Sequence, residues 1–554
     1  MAVPSPALRA RVRAWVARDP DPETRAELEA MLAADDGPGL AERFAGRLAF
    51  GTAGLRGAMA AGPARMNRLV VRESAAGIAR YLSDHVEEAG ARGVVVGRDA
   101  RRRSDVFAAD CAEVIAGHGI RVLLIDDPAP TPLAVFAIRE AGAAAGVVVT
   151  ASHNPPGDSG LKLYGADGAQ IVPPVDGLVA AAIDAVAGGG ALTPVGASPA
   201  PVRALAPAVA AAYRAAALSR VPPPAVPIRI ATTAMHGVGG AHLAALLAAA
   251  GHPDVRPVAA QEAPDPGFPT LPFPNPEEPG ATDLLADLMR GSAAAVGLAV
   301  DPDADRLGVL VAGRGGEPRR LTGDDVGALL GDWLLGEVTS GPGRLVVSSV
   351  VSSSLLARVA EAHGAAHAET LTGFKWLSRP AMEHPELVQV LAYEEALGYA
   401  IGADVRDKDG LTAALAVASM AAAQAARGRT LLDALDALHE RHGAHVIDNF
   451  SLRDVAPEGT ARRAALVERL AGEPPRRLGP LRVTGARALA PDVLRMELAG
   501  SVRVAVRPSG TEPKLKCYCE AVEPVGAGGA DSARARARGR LAEVRAALTD
   551  LLLA

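Results

Sequence analysis

The chain has 554 residues, too many for one hydrophobic core; at about 150 residues per domain it divides into three or four. Hydrophobic residues make up 49% and charged residues 22%, the balance of a folded protein rather than a disordered one. The net charge of −6 argues against a nucleic-acid binder and a polybasic membrane binder, and no apolar run reaches the roughly 18 residues of a membrane span.

The N-terminus has polar helical periodicity with no apolar signal core, so a cytoplasmic protein is expected. The first 90 residues are mostly helical in pattern, interrupted by Phe50-Gly-Thr-Ala-Gly-Leu-Arg-Gly57. Strands follow at Gly93 to Gly97, Arg121 to Ile125 and Gly146 to Thr150. Between them lie helices at Ser104 to Ala116, with Ser104 as N-cap, and at Pro132 to Ala141. Strand–helix alternation with short connections predicts a largely parallel α/β sheet. After Val221 to Val226 a new strand begins at Ile228 to Thr232. Ala263 to Pro279 holds seven prolines and reads as a loop. Strands at Val296 to Val300 and Leu307 to Val311 precede a third α/β block that begins near Thr322, with strands at Arg344 to Val350 and Leu387 to Tyr393. The Ala-rich stretch Leu411 to Ala425, broken by Thr412, Ser419 and Gln424, reads as a packed helix. Beyond about residue 445 the pattern changes, and the Arg-rich terminal helix reads as a solvated face. The expected domains are 1–205, 206–320, 321–445 and 446–554.

Cysteines are few: Cys111 in a helical pattern and Cys517 and Cys519 alternating along a strand. With no second ligand cluster they read as reduced packing residues. Lysines are equally few. Of 57 basic residues only Lys162, Lys375, Lys408, Lys514 and Lys516 are lysine. In a chain that writes arginine wherever a surface cation suffices, a retained lysine marks a place for a compact, titratable ammonium. Each of the five falls in or near a segment that stands out on other grounds.

Four such segments follow strands, where open α/β sheets bind ligands. In Val149-Thr-Ala-Ser-His-Asn-Pro-Pro156, Ser152 is placed as a nucleophile or phosphate carrier; an ordinary serine turn is the plain alternative. No Gly-x-Ser-x-Gly elbow is present, and in extended backbone His153 would point away from Ser152, so His153 reads as structural. In Asp301-Pro-Asp-Ala-Asp-Arg306 three carboxylates at alternate positions repel unless a cation sits among them, and oxygen ligation suits Mg²⁺; a solvated acidic turn is the plain alternative. In Tyr393-Glu-Glu-Ala-Leu-Gly-Tyr399 the carboxylates can accept hydrogen bonds from sugar hydroxyls, or can form a surface turn. In Arg507-Pro-Ser-Gly-Thr-Glu-Pro-Lys514 a cation, two hydroxyls and a glycine can cradle a phosphate, or can form an ordinary Pro/Gly turn.

Together these segments resemble, in order and over nearly the whole chain, the α-D-phosphohexomutase family of phosphoglucomutases and phosphomannomutases. Phe50 to Gly57, Asp301 to Arg306, Thr372-Gly-Phe-Lys-Trp376 and Glu394 to Tyr399 are most similar to its phosphopentomutase and glucose-1,6-bisphosphate synthase branch. The resemblance implies three related α/β domains with mixed, largely parallel sheets and a smaller α+β fourth domain around a central cleft. It implies a phosphoserine at Ser152, with Asp301, Asp303, Asp305 and a phosphoserine oxygen on Mg²⁺, and Arg56 and Lys162 at the transferred phosphoryl group. It places His153, Arg306, Lys375, Glu394, Glu395, Lys408 and Lys514 against substrate, with Arg507, Ser509, Gly510 and Thr511 on the non-reacting phosphate. Many relatives have Ser where this chain has Ala396, which removes one sugar contact and weakens an assignment to glucose over mannose or a pentose. The implied reaction exchanges sugar 1- and 6-phosphates through a 1,6-bisphosphate intermediate or activator, with sugar phosphates as the only partners and a monomer or weak homodimer as the assembly. Two rivals remain from the residues alone. One is an aspartyl-phosphate phosphotransferase of haloacid-dehalogenase type using Asp301; the other is a sugar-phosphate sensor without turnover.

Overall fold

The computed structural model describes residues 3–48, 54–192, 199–453, 459–508 and 514–553. It divides into two compact units, Met1–Arg320 with Leu397–Ala422, and Leu321–Ala396 with Ala423–Ala554. Among the described residues no helix is long and apolar enough to cross a membrane.

The first unit opens with helices Pro6–Arg18, Pro22–Ala33 and Gly37–Arg43, the first two capped by the side chains of Ser5 and Asp21. Its first sheet contains β1 (Leu55–Ala58), β2 (Val94–Arg98), β3 (Val122–Leu124), β4 (Ala145–Val149), β5 (Asp158–Gly165) and β6 (Val202–Ala204). They lie in the order β1-β5-β4-β2-β3-β6, with β4, β2, β3 and β6 parallel and β1 and β5 antiparallel to their neighbours. The run Ala-Gly-Val-Val-Val of β4 is buried throughout, as expected of a strand covered on both faces. Ser104 does begin a helix, Ser104–Gly117, but it does not cap it: its hydroxyl is held by Asp99 Oδ1 at 2.6 Å, and Arg103 occupies the cap position.

A second sheet repeats the plan with β7 (Arg229–Thr233), β8 (Asp254–Pro257), β9 (Val296–Val300), β10 (Leu307–Ala312) and β11 (Pro318–Arg320), ordered β11-β10-β9-β7-β8. Again a fully buried parallel strand, β9, is followed by a tight loop and an antiparallel strand, β10. Ser152 and Asp301 therefore stand at equivalent points, each just past the C-terminal end of a buried central strand.

In the second unit, Thr322 and Asp325 form a capping box at the start of helix Gly323–Trp333. Strands β12 (Arg344–Ser349), β13 (Ala366–Thr370) and β14 (Val388–Glu394) pair in parallel, with β12 in the middle. The C-terminal part is an antiparallel sheet of Ala444–Arg453, Lys514–Glu523, Val502–Pro508, Val493–Leu498, Leu481–Ala490 and Arg477–Leu478, adjacent in that order. The change of pattern seen near residue 445 is this switch from parallel to antiparallel pairing. Helix Gly529–Leu553 packs on that sheet through Ala533, Ala537, Leu541, Val544 and Leu548, spaced three or four apart. It is not wholly a solvated face, because Arg534 is buried and paired with Asp436 and Asp531 at 2.7 and 2.6 Å. Cys111, Cys517 and Cys519 are free thiols inside cores, as expected.

Candidate active site

The serine loop turns sharply after β4. Ser152 has φ of 51°, in the left-handed region that a residue with a side chain adopts only when its surroundings compel it. Its amide donates to Thr150 Oγ1 at 2.8 Å, and its carbonyl accepts from Arg101 Nη2 at 2.5 Å. Arg101, itself buried beside Asp99 and over the ring of Phe268, also donates to the carbonyls of Asn154 at 2.5 Å and Pro155 at 2.9 Å.

This geometry corrects the expectation for His153. The backbone at Ser152 is not extended, so the two adjacent side chains converge, and Ser152 Oγ lies 3.1 Å from His153 Nδ1. Burial of the ring, reinforced by Arg306 and Arg56, lowers the His153 pKa well below its usual range.

Ser152 Oγ donates to Asp301 Oδ2 at 2.7 Å. Asp301, Asp303 and Asp305 are fully buried and offer one oxygen each within 4.8 Å of one another. The turn that gathers them has Ala304 at φ of 57° and the Arg306 amide donating to Asp301 Oδ1 at 3.0 Å. Asp303 Oδ2 accepts from Thr131 Oγ1 at 2.8 Å and from Lys162 Nζ at 2.8 Å. Lys162, on β5, also reaches Asp305 Oδ2 at 2.7 Å, and Lys408 Nζ lies 3.3 Å from the same oxygen. Asp303 Oδ1 and Asp305 Oδ1 are buried without a hydrogen-bond partner. Three buried carboxylates with two orphaned oxygens form an all-oxygen donor set that fits a hard divalent cation such as Mg²⁺.

The charges are strongly coupled. Burial, with repulsion from Asp303 and Asp305, pushes the Asp301 carboxyl well above the usual carboxylate range. At Asp305 burial acts the same way, but Lys162, Lys408 and Arg306 outweigh it and hold the carboxyl down. At Lys162 burial works against the ammonium, and Asp303 and Asp305 overcome it, so its pKa is raised.

Of the residues expected from the sequence, the first unit brings together Ser152, His153, Lys162, the three aspartates, Arg306 and Lys408. Arg56, on β1, lies at the rim: its Nη1 is 3.5 Å from Asn154 Oδ1, and its Nε is buried without a hydrogen-bond partner. The second unit holds the others. Glu394 ends β14 and accepts from the Gly373 amide at 3.2 Å, Glu395 accepts from Ser349 Oγ at 3.1 Å, and Lys375 lies over the ring of Trp376. Arg507, next to last in strand Val502–Pro508, has Nη2 3.1 Å from the Tyr518 hydroxyl. Burial opposes its charge, but Tyr518, Glu395 and Glu394 raise its pKa. Lys514 begins the neighbouring strand. Ser509, Gly510 and Thr511 lie outside the described residues. The sequence did not single out Arg101, Thr131, Tyr164, Gln170 or Asp407. In a chain so rich in arginine, Arg101 within the run Arg101-Arg-Arg103 carries no distinguishing signal.

Comparison with known proteins agrees with this arrangement. Phosphoglucomutase/phosphomannomutase alpha/beta/alpha domains I, II and III match residues 47–187, 212–315 and 322–442, and the C-terminal domain of the same family matches 463–529. A probable phosphomannomutase of Haemophilus influenzae is 39% identical over 82% of this chain and 93% of its own length. A probable phosphoribomutase of Schizosaccharomyces pombe is 34% identical over 93% of each chain. The crystal structure of a putative phosphomannomutase from Thermus thermophilus superimposes with a TM-score of 0.65 at 25% identity, covering 90% of this chain and 99% of that one. These matches set aside the dehalogenase-type enzyme and the sensor. All four regions occur in order on one chain, which is a member of the phosphoglucomutase/phosphomannomutase family of α-D-phosphohexomutases and thus an enzyme that transfers phosphate within a sugar phosphate.

Proposed function

We propose that the enzyme interconverts a hexose 1-phosphate and 6-phosphate, with glucose as the sugar, through a phosphorylated Ser152 and a sugar 1,6-bisphosphate. The observation that carries this reading is the 2.7 Å hydrogen bond from Ser152 Oγ to Asp301 inside the three-carboxylate cluster. Ser152 stores the phosphoryl group, donates it to the free hydroxyl of a sugar monophosphate, and takes back the other phosphate after the bisphosphate has turned over. Its left-handed backbone, fixed by Arg101 and Thr150, sets the line of transfer. Asp301, Asp303 and Asp305 would hold a Mg²⁺ ion, which when bound would neutralise charge on the phosphoryl oxygens. Lys162 and Arg56 approach the same group, and a lysine moves the proton of the sugar hydroxyl. Glu394 and Glu395, with Lys375, bind sugar hydroxyls. Arg507, Ser509, Gly510, Thr511 and Lys514 grip the phosphate that does not react, while His153, Arg306 and Lys408 line the reacting end. Water must be excluded, because it would hydrolyse the phosphoserine.

A pentose is the second reading, favoured by the relative named a probable phosphoribomutase and by Ala396, which offers no hydroxyl to a sugar. Parallel assays of glucose 1-phosphate, mannose 1-phosphate and ribose 1-phosphate, with Ser152→Ala as control, test both. Highest kcat/KM on glucose 1-phosphate and loss of activity in the control are expected. Full activity in Ser152→Ala removes the phosphoserine, and a preference for ribose 1-phosphate replaces the hexose.

A further inference from the structure

The segment Asp407-Lys-Asp-Gly410 is built against the metal loop, yet the reaction described above uses only its lysine. Its backbone is fixed after Lys408. Asp409 caps helix Gly410–Ala425, accepting from the amides of Leu411 and Thr412 at 3.1 and 2.9 Å and from the Tyr213 hydroxyl at 2.9 Å. Gly410 donates to the Ala304 carbonyl of the metal loop at 3.2 Å.

Asp407 fixes the side before. It is fully buried, and both its oxygens are used. Oδ2 accepts from the Tyr164 hydroxyl and from Gln170 Nε2, each at 2.7 Å. Oδ1 accepts from the Lys408 amide at 2.7 Å and from Lys408 Nζ at 3.0 Å. The Tyr164 phenol, its pKa raised by burial and by Asp407, stays a donor. Four donors on one carboxylate make an anchor whose own position is set by β5, the strand that also carries Lys162.

The consequence falls on Asp305. Its Oδ2 faces two ammonium groups, Lys162 at 2.7 Å and Lys408 at 3.3 Å, while its Oδ1 has no hydrogen-bond partner. Lysine is a flexible point charge, and an ammonium with no nearer carboxylate would compete with a cation for Asp305. We propose that Asp407 is a positioning residue: by pairing with Lys408 it limits the hold of that ammonium on Asp305 and so leaves Asp305 available to a divalent cation. This inference rests on the reading of Asp301, Asp303 and Asp305 as the cation site.

The test is calorimetric titration of the enzyme with MgCl₂ in the absence of any sugar phosphate. Asp407→Asn weakens Mg²⁺ binding about tenfold, within the range for outer residues of a metal site. It lowers kcat while KM for the sugar phosphate stays within about twofold. Because Asp407 acts through Lys408, the double variant Asp407→Asn/Lys408→Met binds Mg²⁺ as Lys408→Met alone does. Tyr164→Phe keeps the carboxylate and loosens its anchor, giving a smaller change of the same sign; it carries the test if Asp407→Asn does not fold. Wild-type Mg²⁺ affinity in Asp407→Asn and Tyr164→Phe, or multiplied losses in the double variant, overturns the positioning role. Failure of the wild-type enzyme to bind Mg²⁺ overturns instead the cation site beneath it.

Discussion

Arg101 holds Ser152 by its main chain, donating to the carbonyl oxygen of the residue whose hydroxyl meets Asp301. One guanidinium thus satisfies carbonyls at 152 and 154 that a tight loop leaves without strand partners, and shares that of 155 with the Asp158 amide. Lysine has one nitrogen where arginine has a planar fork, so Arg101→Lys leaves buried carbonyls unsatisfied. We expect a loss of about 2–4 kcal/mol in denaturant unfolding. Displacement of Ser152 should cost at least about 100-fold in kcat. Wild-type kcat in Arg101→Lys would refute the role.

Lys162 neutralises two buried carboxylates at once. Lys162→Met takes the ammonium from Asp303 and leaves Asp305 to Lys408 and Arg306, at a cost of about 3–5 kcal/mol in metal-free enzyme. The ammonium also occupies oxygens beside the cation site, so its removal should make Mg²⁺ a stronger stabiliser. The expected result is a lower Tm without metal and a larger Mg²⁺-induced rise than in the wild type, read by thermal unfolding; an equal rise in both proteins would count against it.

The second unit carries a pH-sensitive group of its own. Burial raises the Asp324 carboxyl from 3.8 to about 7; Glu395 and Glu520 add to this, and the hydrogen bond from the Ser353 amide works against it. Between those values the folded chain keeps a proton that the unfolded chain releases, so this group makes stability fall as pH rises through that window. Asp324→Asn keeps an acceptor for Tyr393 and Ser353 and carries no charge. Chemical denaturation across the window should give a flatter pH profile for the variant, with higher stability above pH 7. An unchanged slope would contradict this account.

Gly410 meets the metal loop so closely that a Cβ there would lie 2.5 Å from the Arg306 carbonyl oxygen and 2.9 Å from that of Ala304. Both are backbone atoms and cannot swing aside. Gly410→Ala should therefore cost about 1–3 kcal/mol and reduce Mg²⁺ affinity, measured by denaturation and calorimetry. Unaltered metal binding would show that the loop tolerates the shift.

Much of this site was legible because strand ends and charge repulsion are local facts. Three aspartates at alternate positions after Val296–Val300 announce a cation without reference to the rest of the chain. Rare lysines proved equally informative, since Lys162 and Lys408 both reach Asp305. The contact between Ser152 and His153 is hidden from the sequence because it depends on one backbone dihedral, which the residue types there do not reveal. Asp407 carries no signal in the sequence because its partners, Tyr164 and Gln170, lie more than 200 residues earlier. The burial of Arg534 is hidden for a similar reason: its partner Asp436 belongs to a distant helix.

The first unit is assembled from two stretches, and the later one, Leu397–Ala422, emerges only after an intervening segment has been made. At about 5–20 residues per second, synthesis of that segment occupies roughly 4–15 s. A nascent chain paused before Leu397 would carry its nucleophile and its acids but no Lys408. Ribosome-bound intermediates halted there should accordingly be protease-sensitive around the metal loop, and release past residue 422 should bring protection.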